Sequence, residues 1–179
     1  LIMVATTVLT ALGNSTDGPR RVAYLLAGYR PSQLFDGQLW RLPLSALLAQ
    51  SWLQWAWTVL VGGALMVAVE SRLGRIRAAT VLSLSHIVPT VAVAFWARAV
   101  EDRSIMSSED FGTSCLIVGA AGALLWVSRS RLLAVGLLVS FVGDIFLNSP
   151  VTIVEHIIAV GIGGVTAISL GHPPTPSST

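Results

Sequence analysis

Two residues of this chain have the chemistry for acyl transfer, and both lie in apolar surroundings. Ser114, in Phe111-Gly112-Thr113-Ser114-Cys115, opens one hydrophobic run, and His156 lies about a turn and a half into another, counted from Pro150. A serine hydroxyl is a weak nucleophile until a base takes its proton, and imidazole is the side chain suited to that task near neutral pH. Polar groups inside a membrane are costly and are functional candidates for that reason. The bland readings are a serine bonded to a backbone carbonyl of its own helix and a histidine making a polar contact between helices. His86 is the third such position. It precedes Pro89, whose ring removes a helix hydrogen bond, and it reads as a local polar partner at the kink. The single cysteine, Cys115, excludes an intrachain disulfide, and no metal-ligand spacing is present, so neither metal nor cofactor is expected.

Ser114 and His156 can meet only if the helices that carry them are parallel and close. Hydrophobic residues make up 54% of the chain and charged residues 11%, with a mean hydropathy of +0.75. Soluble domains carry about 25% charged residues, so a soluble fold is excluded. From Leu42 to Val69 there is no ionisable residue. At ~1.5 Å per residue that run is long enough to cross a ~30 Å hydrocarbon core. The apolar runs are continuous rather than alternating, which disfavours a barrel.

The expectation is an all-α polytopic bundle of six transmembrane helices at 1–12, 43–69, 78–97, 112–127, 132–147 and 151–170. The first is expected to be clipped at its start. Residues 1–170 would form the membrane domain, and the Pro/Ser/Thr-rich 171–179 a disordered tail. The polar segment Gly13 to Arg41 is expected to fold back onto the membrane surface. Arginines set the orientation. Arg72, Arg75 and Arg77, with Arg129 and Arg131, mark cytoplasmic loops, whereas Glu101, Asp102, Glu109 and Asp110 mark an external one. Four arginines in the first loop argue the other way, but long external loops obey the rule weakly. The C-terminus is therefore expected inside, and the fourth and sixth spans are parallel with Ser114 and His156 at comparable depth. Ala159, Gly163 and Ala167 on the His156 face, with Gly119, Gly122 and Ala123 on the fourth span, would let the two helices approach closely. All eleven basic residues are arginine and the net charge is only +2, so no nucleic-acid patch is read. The arginine-only usage suggests a high-GC bacterial genome, hence a bacterial plasma membrane. The expected partners are the lipid bilayer and the helices of other membrane proteins.

In this order the motifs resemble the rhomboid superfamily of intramembrane serine proteases, over nearly the whole chain. Trp40-Arg41 is similar to the family's Trp-Arg signature at the end of a long first loop, and Glu70-Ser71-Arg72-Leu73-Gly74 to its Glu-x-Arg-x-Gly. Gly112-Thr113-Ser114 resembles the Gly-x-Ser nucleophile motif, followed by the small-residue run from Gly119. Glu155-His156 with Gly163 seven residues on resembles the His motif of the last catalytic helix. The resemblance implies that Ser114 is the nucleophile and His156 the general base of an intramembrane protease working with a Ser-His dyad. A dyad can manage without a buried acid if packing fixes the imidazole, and Glu155, about 100° away around the helix, is not assigned as a third member.

The departures point to a second class. Ungapped alignment places the family's second-helix histidine and asparagine positions at Ala49, Gln54 and Thr58, of which only Gln54 and Thr58 can support an oxyanion. Cys115 stands where glycine is common, Val118 where an aromatic packs on the histidine, and Ala159 for the first glycine after His156. Loss of one oxyanion donor costs about 100- to 1000-fold in rate. A non-proteolytic rhomboid-like protein that binds membrane partners or serves as a complex subunit therefore stays open. A transporter is disfavoured because the spans hold no acidic relay. Trp52, Trp55 and Trp57 read as interfacial anchors, and Asp110 as a charge at a helix N-terminus. Asp144 is placed at the outer interface near Asn148, with no chemical role.

Overall fold

The computed structural model describes residues 7–8, 10–11, 17–49, 51–109 and 112–171. Their regular elements are helices: α1 Asp17–Ala27, α2 Pro31–Phe35, α3 Arg41–Ser45, α4 Trp52–Leu73, α5 Arg75–Ala99, α6 Arg103–Ser107, α7 Thr113–Ser128, α8 Arg131–Leu147 and α9 Pro150–Ser169. Three of them, α4, α5 and α9, are long and apolar enough to cross a membrane. At 16 residues α7 is about 24 Å long. It is also the most enclosed helix, buried from Cys115 through Leu124, so its length need not match a lipid core. The large apolar side chains left outside, among them Leu53, Ile76, Leu132, Phe146 and Leu147, each more than four-fifths exposed, suit a hydrocarbon surrounding and not water.

The expected span at 43–69 begins later, at Trp52. Residues 41–49 instead form α3 and a buried connection. Ser45 Oγ donates to the Leu42 carbonyl at 3.0 Å, and Ser51 restarts the chain by accepting the Gln54 amide at 3.2 Å. A run without charges is thus divided by its hydroxyls. The expected spans 78–97, 112–127, 132–147 and 151–170 coincide with α5, α7, α8 and α9 to within three residues at each end. Most of the expected span 1–12, and the tail after Gly171, lie outside the described residues.

Gly74, at φ +82°, turns α4 directly into α5, a conformation that favours glycine. The core joins Met66, Val69 and Leu73 of α4, Val81 and Leu82 of α5, Leu116, Ala120 and Leu124 of α7, and Ala167 of α9. The first loop docks against the far end of α5. Phe35 meets Phe95 edge-on at 5.3 Å, Arg98 lies over the Phe35 ring, and Arg30 pairs with Glu109 at 2.8 Å. The loops before α4 and after α5 therefore share one end of the bundle. Arg41 fastens this end from inside. Its guanidinium donates to the carbonyls of Tyr24 and Gly28 and to Gln38, at 2.6–3.1 Å, while Trp40 beside it is exposed.

Candidate functional site

The site lies where α7, α8 and α9 meet. Their approach is set by residues with no side chain to hold them apart. A Cβ at Gly163 would run into the Gly119 carbonyl, and one at Gly122 into that of Val160. Gly119 also faces Ala159, and Gly164 faces the Trp126 indole. From Gly119 against Ala159, through Gly122 against Val160, to Trp126 against Gly164, the numbers rise together along both helices, so α7 and α9 are parallel, as the orientation argument expects. One turn before the Gly119–Ala159 contact stand Cys115 on α7 and Glu155 and His156 on α9. The nucleophile motif and the histidine are therefore level.

Around each helix at 100° per residue, His156 shares the stripe of Ala159, Val160 and Gly163 that faces α7. The answering stripe on α7 is Cys115, Val118, Gly119 and Gly122, with Cys115, Val118 and Ala159 packed together. Ser114 is half-buried on the flank of that stripe. It lies between Val118 and Ile117, which reaches Gly62 of α4. Among the described residues no hydrogen bond joins Ser114 to His156.

The histidine itself is held from α8. His156 is 4% exposed, and its Nδ1 lies 2.6 Å from Oδ2 of Asp144, which is 8% exposed. The sequence places Asp144 at the outer interface with no chemical role; in the structure it is turned inward onto the ring. Its other oxygen accepts the Asn148 amide at 2.8 Å, one helical turn on. The carboxylate can only accept, so Nδ1 carries the proton and donates. His156 Nε2 is buried and has no partner among the described residues. Glu155 is buried beside it. The signal that could have found Asp144 was an acid near the end of an otherwise apolar helix, twelve residues before the histidine across a short turn.

On the other side, Gln54 of α4 donates to Thr113 Oγ1 at 3.1 Å and so reaches the Gly112-Thr113-Ser114 motif. Thr58 does not reach it: its hydroxyl donates to the Gln54 carbonyl at 2.8 Å. The segment Thr58–Gly62 is a π-helical turn within α4, a feature frequent beside functional sites. Ala49 donates its amide to Thr10 Oγ1 at 3.3 Å. Gly112 is required by sterics, because a Cβ there would enter the His86 ring. His86 is therefore more than a partner at the Pro89 kink. Its Nε2 donates to the Leu42 carbonyl at 2.6 Å and lies 3.2 Å from Ser45 Oγ, tying α5 to α3 directly beneath the serine motif. Glu70 pairs with Arg75 at 3.2 Å rather than with exposed Arg72, and secures the α4–α5 turn. No protein-family model matches the chain, and no curated protein matches it.

Proposed function

We propose that this chain is a divergent rhomboid-type intramembrane serine protease: a six-span bundle of the bacterial plasma membrane, with an external first loop and a cytoplasmic C-terminus. The observation that carries the reading is His156, buried, with Nε2 unpartnered among the described residues, at the height of Ser114 on the parallel neighbouring helix. Ser114 Oγ adds to the scissile carbonyl carbon while its proton passes to Nε2. The C–N bond then breaks as that proton moves to the leaving amine. Water hydrolyses the acyl-serine with the same base. The developing oxyanion has donors at hand, because the amides of Thr113 and Ser114 in the first turn of α7 lack intrahelical acceptors. Gln54, bonded to Thr113, steadies that turn. Substrates are transmembrane segments of other membrane proteins, admitted between helices near the outer face.

A second reading is a non-proteolytic rhomboid-like protein that binds membrane partners. It is supported by the missing Ser114–His156 hydrogen bond and by a Thr58 hydroxyl turned into its own helix. A serine-directed fluorophosphonate separates the two. The protease labels, loses labelling in Ser114→Ala, and loses most of it in His156→Ala. A folded protein that does not label beside a working control belongs to the second reading.

A further inference from the structure

Packing alone can orient an imidazole, yet here a carboxylate does so. We infer that Asp144 is the positioning residue of the site, making Ser114, His156 and Asp144 a triad spread over α7, α9 and α8. The inference rests on the reading of Ser114 and His156 as nucleophile and base.

Three observations carry it. First, the Asp144 Oδ2 to His156 Nδ1 distance of 2.6 Å is that of a charge-assisted hydrogen bond. With Nδ1–H donating to the carboxylate, the lone pair resides on Nε2, which has no partner among the described residues and lies on the helix turn level with Ser114. Second, the carboxylate is itself held, since Asn148 occupies Oδ1 from one turn on and fixes the plane in which Oδ2 meets the ring. Third, α8 is exposed along most of its length, and its buried residues are Leu137 and Asp144. A carboxylate turned inward among apolar helices is costly unless paired, so its direction has to be accounted for. Glu155, the nearer acid in sequence, is not the Nδ1 partner. During proton transfer Asp144 keeps the ring in place and stabilises the imidazolium as Nε2 gains the serine proton. No proton needs to move to the carboxylate.

The pair could equally be a structural link between α8 and α9, and the test separates these roles. The full chain is purified in detergent as wild type, Asp144→Asn, Asn148→Ala and Ser114→Ala, and the fluorophosphonate labelling rate is followed against probe concentration. Asp144→Asn offers Nδ1 a donor where it needs an acceptor. The saturating rate is expected to fall on the order of 10³-fold or more, with the half-saturating concentration unchanged. Asn148→Ala leaves the pair but frees its carboxylate, and a smaller fall of roughly tenfold is expected at an unchanged half-saturating concentration. Nitrogen-15 spectra of histidine-labelled protein should show His156 as the Nδ1–H tautomer in the wild type and a changed tautomer balance in Asp144→Asn. An Nε2–H tautomer in the wild type overturns the triad. So do wild-type labelling rates in a folded Asp144→Asn or, where that variant does not fold, in Asn148→Ala. If labelling depends on Ser114 but not on Asp144, the triad alone fails. If the wild type does not label at all, the protease reading fails and takes the triad with it.

Discussion

Among the described residues two histidines are buried in this bundle, and their surroundings give them opposite tautomers. His86, on α5, donates from Nε2 to a backbone carbonyl on α3 and supports Gly112 from below. His156, on α9, donates from Nδ1 to a carboxylate on α8, and its Nε2 is buried with no partner among the described residues. A carbonyl partner uses the far ring nitrogen to join two segments. A carboxylate partner on the near nitrogen orients the ring and leaves the far nitrogen able to accept a proton. Residue type and burial are the same in both cases. The partner atom decides the role.

The sharpest way to break this comparison is to replace each ring by glutamine. His156→Gln removes the base and is expected to lower fluorophosphonate labelling by on the order of 10³-fold or more. His86→Gln should keep labelling to within about tenfold. Its cost falls on stability, about 0.5–1.5 kcal/mol, because a flexible amide replaces the fixed ring nitrogen as donor to the Leu42 carbonyl. Labelling rates and thermal unfolding in detergent read the two effects separately. Equal losses of labelling in both variants would mean that His86 acts in the chemistry too.

The next largest effect concerns the contact that brings His156 level with the serine motif. In Gly163→Ala the new methyl meets the Gly119 carbonyl, a backbone atom that cannot rotate away, so α7 and α9 must part. A displacement near 1 Å costs about 100-fold in rate, and the overpacking about 1–3 kcal/mol. Gly161→Ala on the same helix meets nothing within 4 Å. It should label normally and gain slightly in stability, by about 1 kcal/mol or less, because alanine is the better helix former. Similar behaviour of the two variants would remove the close helix approach from the account.

How much of this was legible in the sequence follows from which interactions are local. Four of the expected spans coincide with helices because continuous apolar runs have few alternatives. The parallel relation of α7 and α9 follows from counting crossings. The late start of α4 was not legible, since nothing in the charge-free run from Leu42 to Val69 shows that Ser45 and Ser51 divide it. The role of Asp144 is hidden in the sequence for a related reason. An acid near a helix end next to Asn148 looks interfacial in one dimension, and only the turn between α8 and α9 folds it back onto His156. Gln54, which the resemblance offers as a possible oxyanion donor, reaches the motif through Thr113 rather than Ser114. Thr58, offered with it, bonds its own helix, a competition open to any helical threonine.

A third prediction weighs the α4 side of the site against the α8 side. Gln54→Ala removes the neutral, part-buried hydrogen bond to Thr113, worth about 0.5–1.5 kcal/mol. Labelling should fall by roughly tenfold or less, since the α7 backbone amides remain in place. A loss as large as that of Asp144→Asn would move the centre of the site from the α8–α9 pair to α4.

The smallest effect sharpens the contrast between Asp144 and an acid outside the bundle. Asp102 caps α6, accepting the Ser104 hydroxyl at 2.6 Å and the Ser104 and Ile105 amides at 2.9 and 3.1 Å. The Ser104 hydroxyl first, and the Ile105 amide second, hold its carboxyl below the ordinary value of 3.8. These bonds favour the ionised form in the folded state, so the stability they add is complete above the ordinary carboxylate range. It is lost as pH falls through the lowered folded value. Asp102→Ala should therefore lower the unfolding temperature slightly, by a constant amount from neutral pH down to roughly pH 5, and converge on the wild type in stronger acid. Its fluorophosphonate labelling at neutral pH should be unchanged. Both acids accept from well-placed donors, but only Asp144 holds the ring of a histidine on the helix packed against the serine helix. A fall in labelling from Asp102→Ala would show that loss of any capped acid disturbs the site, and the distinction between the two carboxylates would fail.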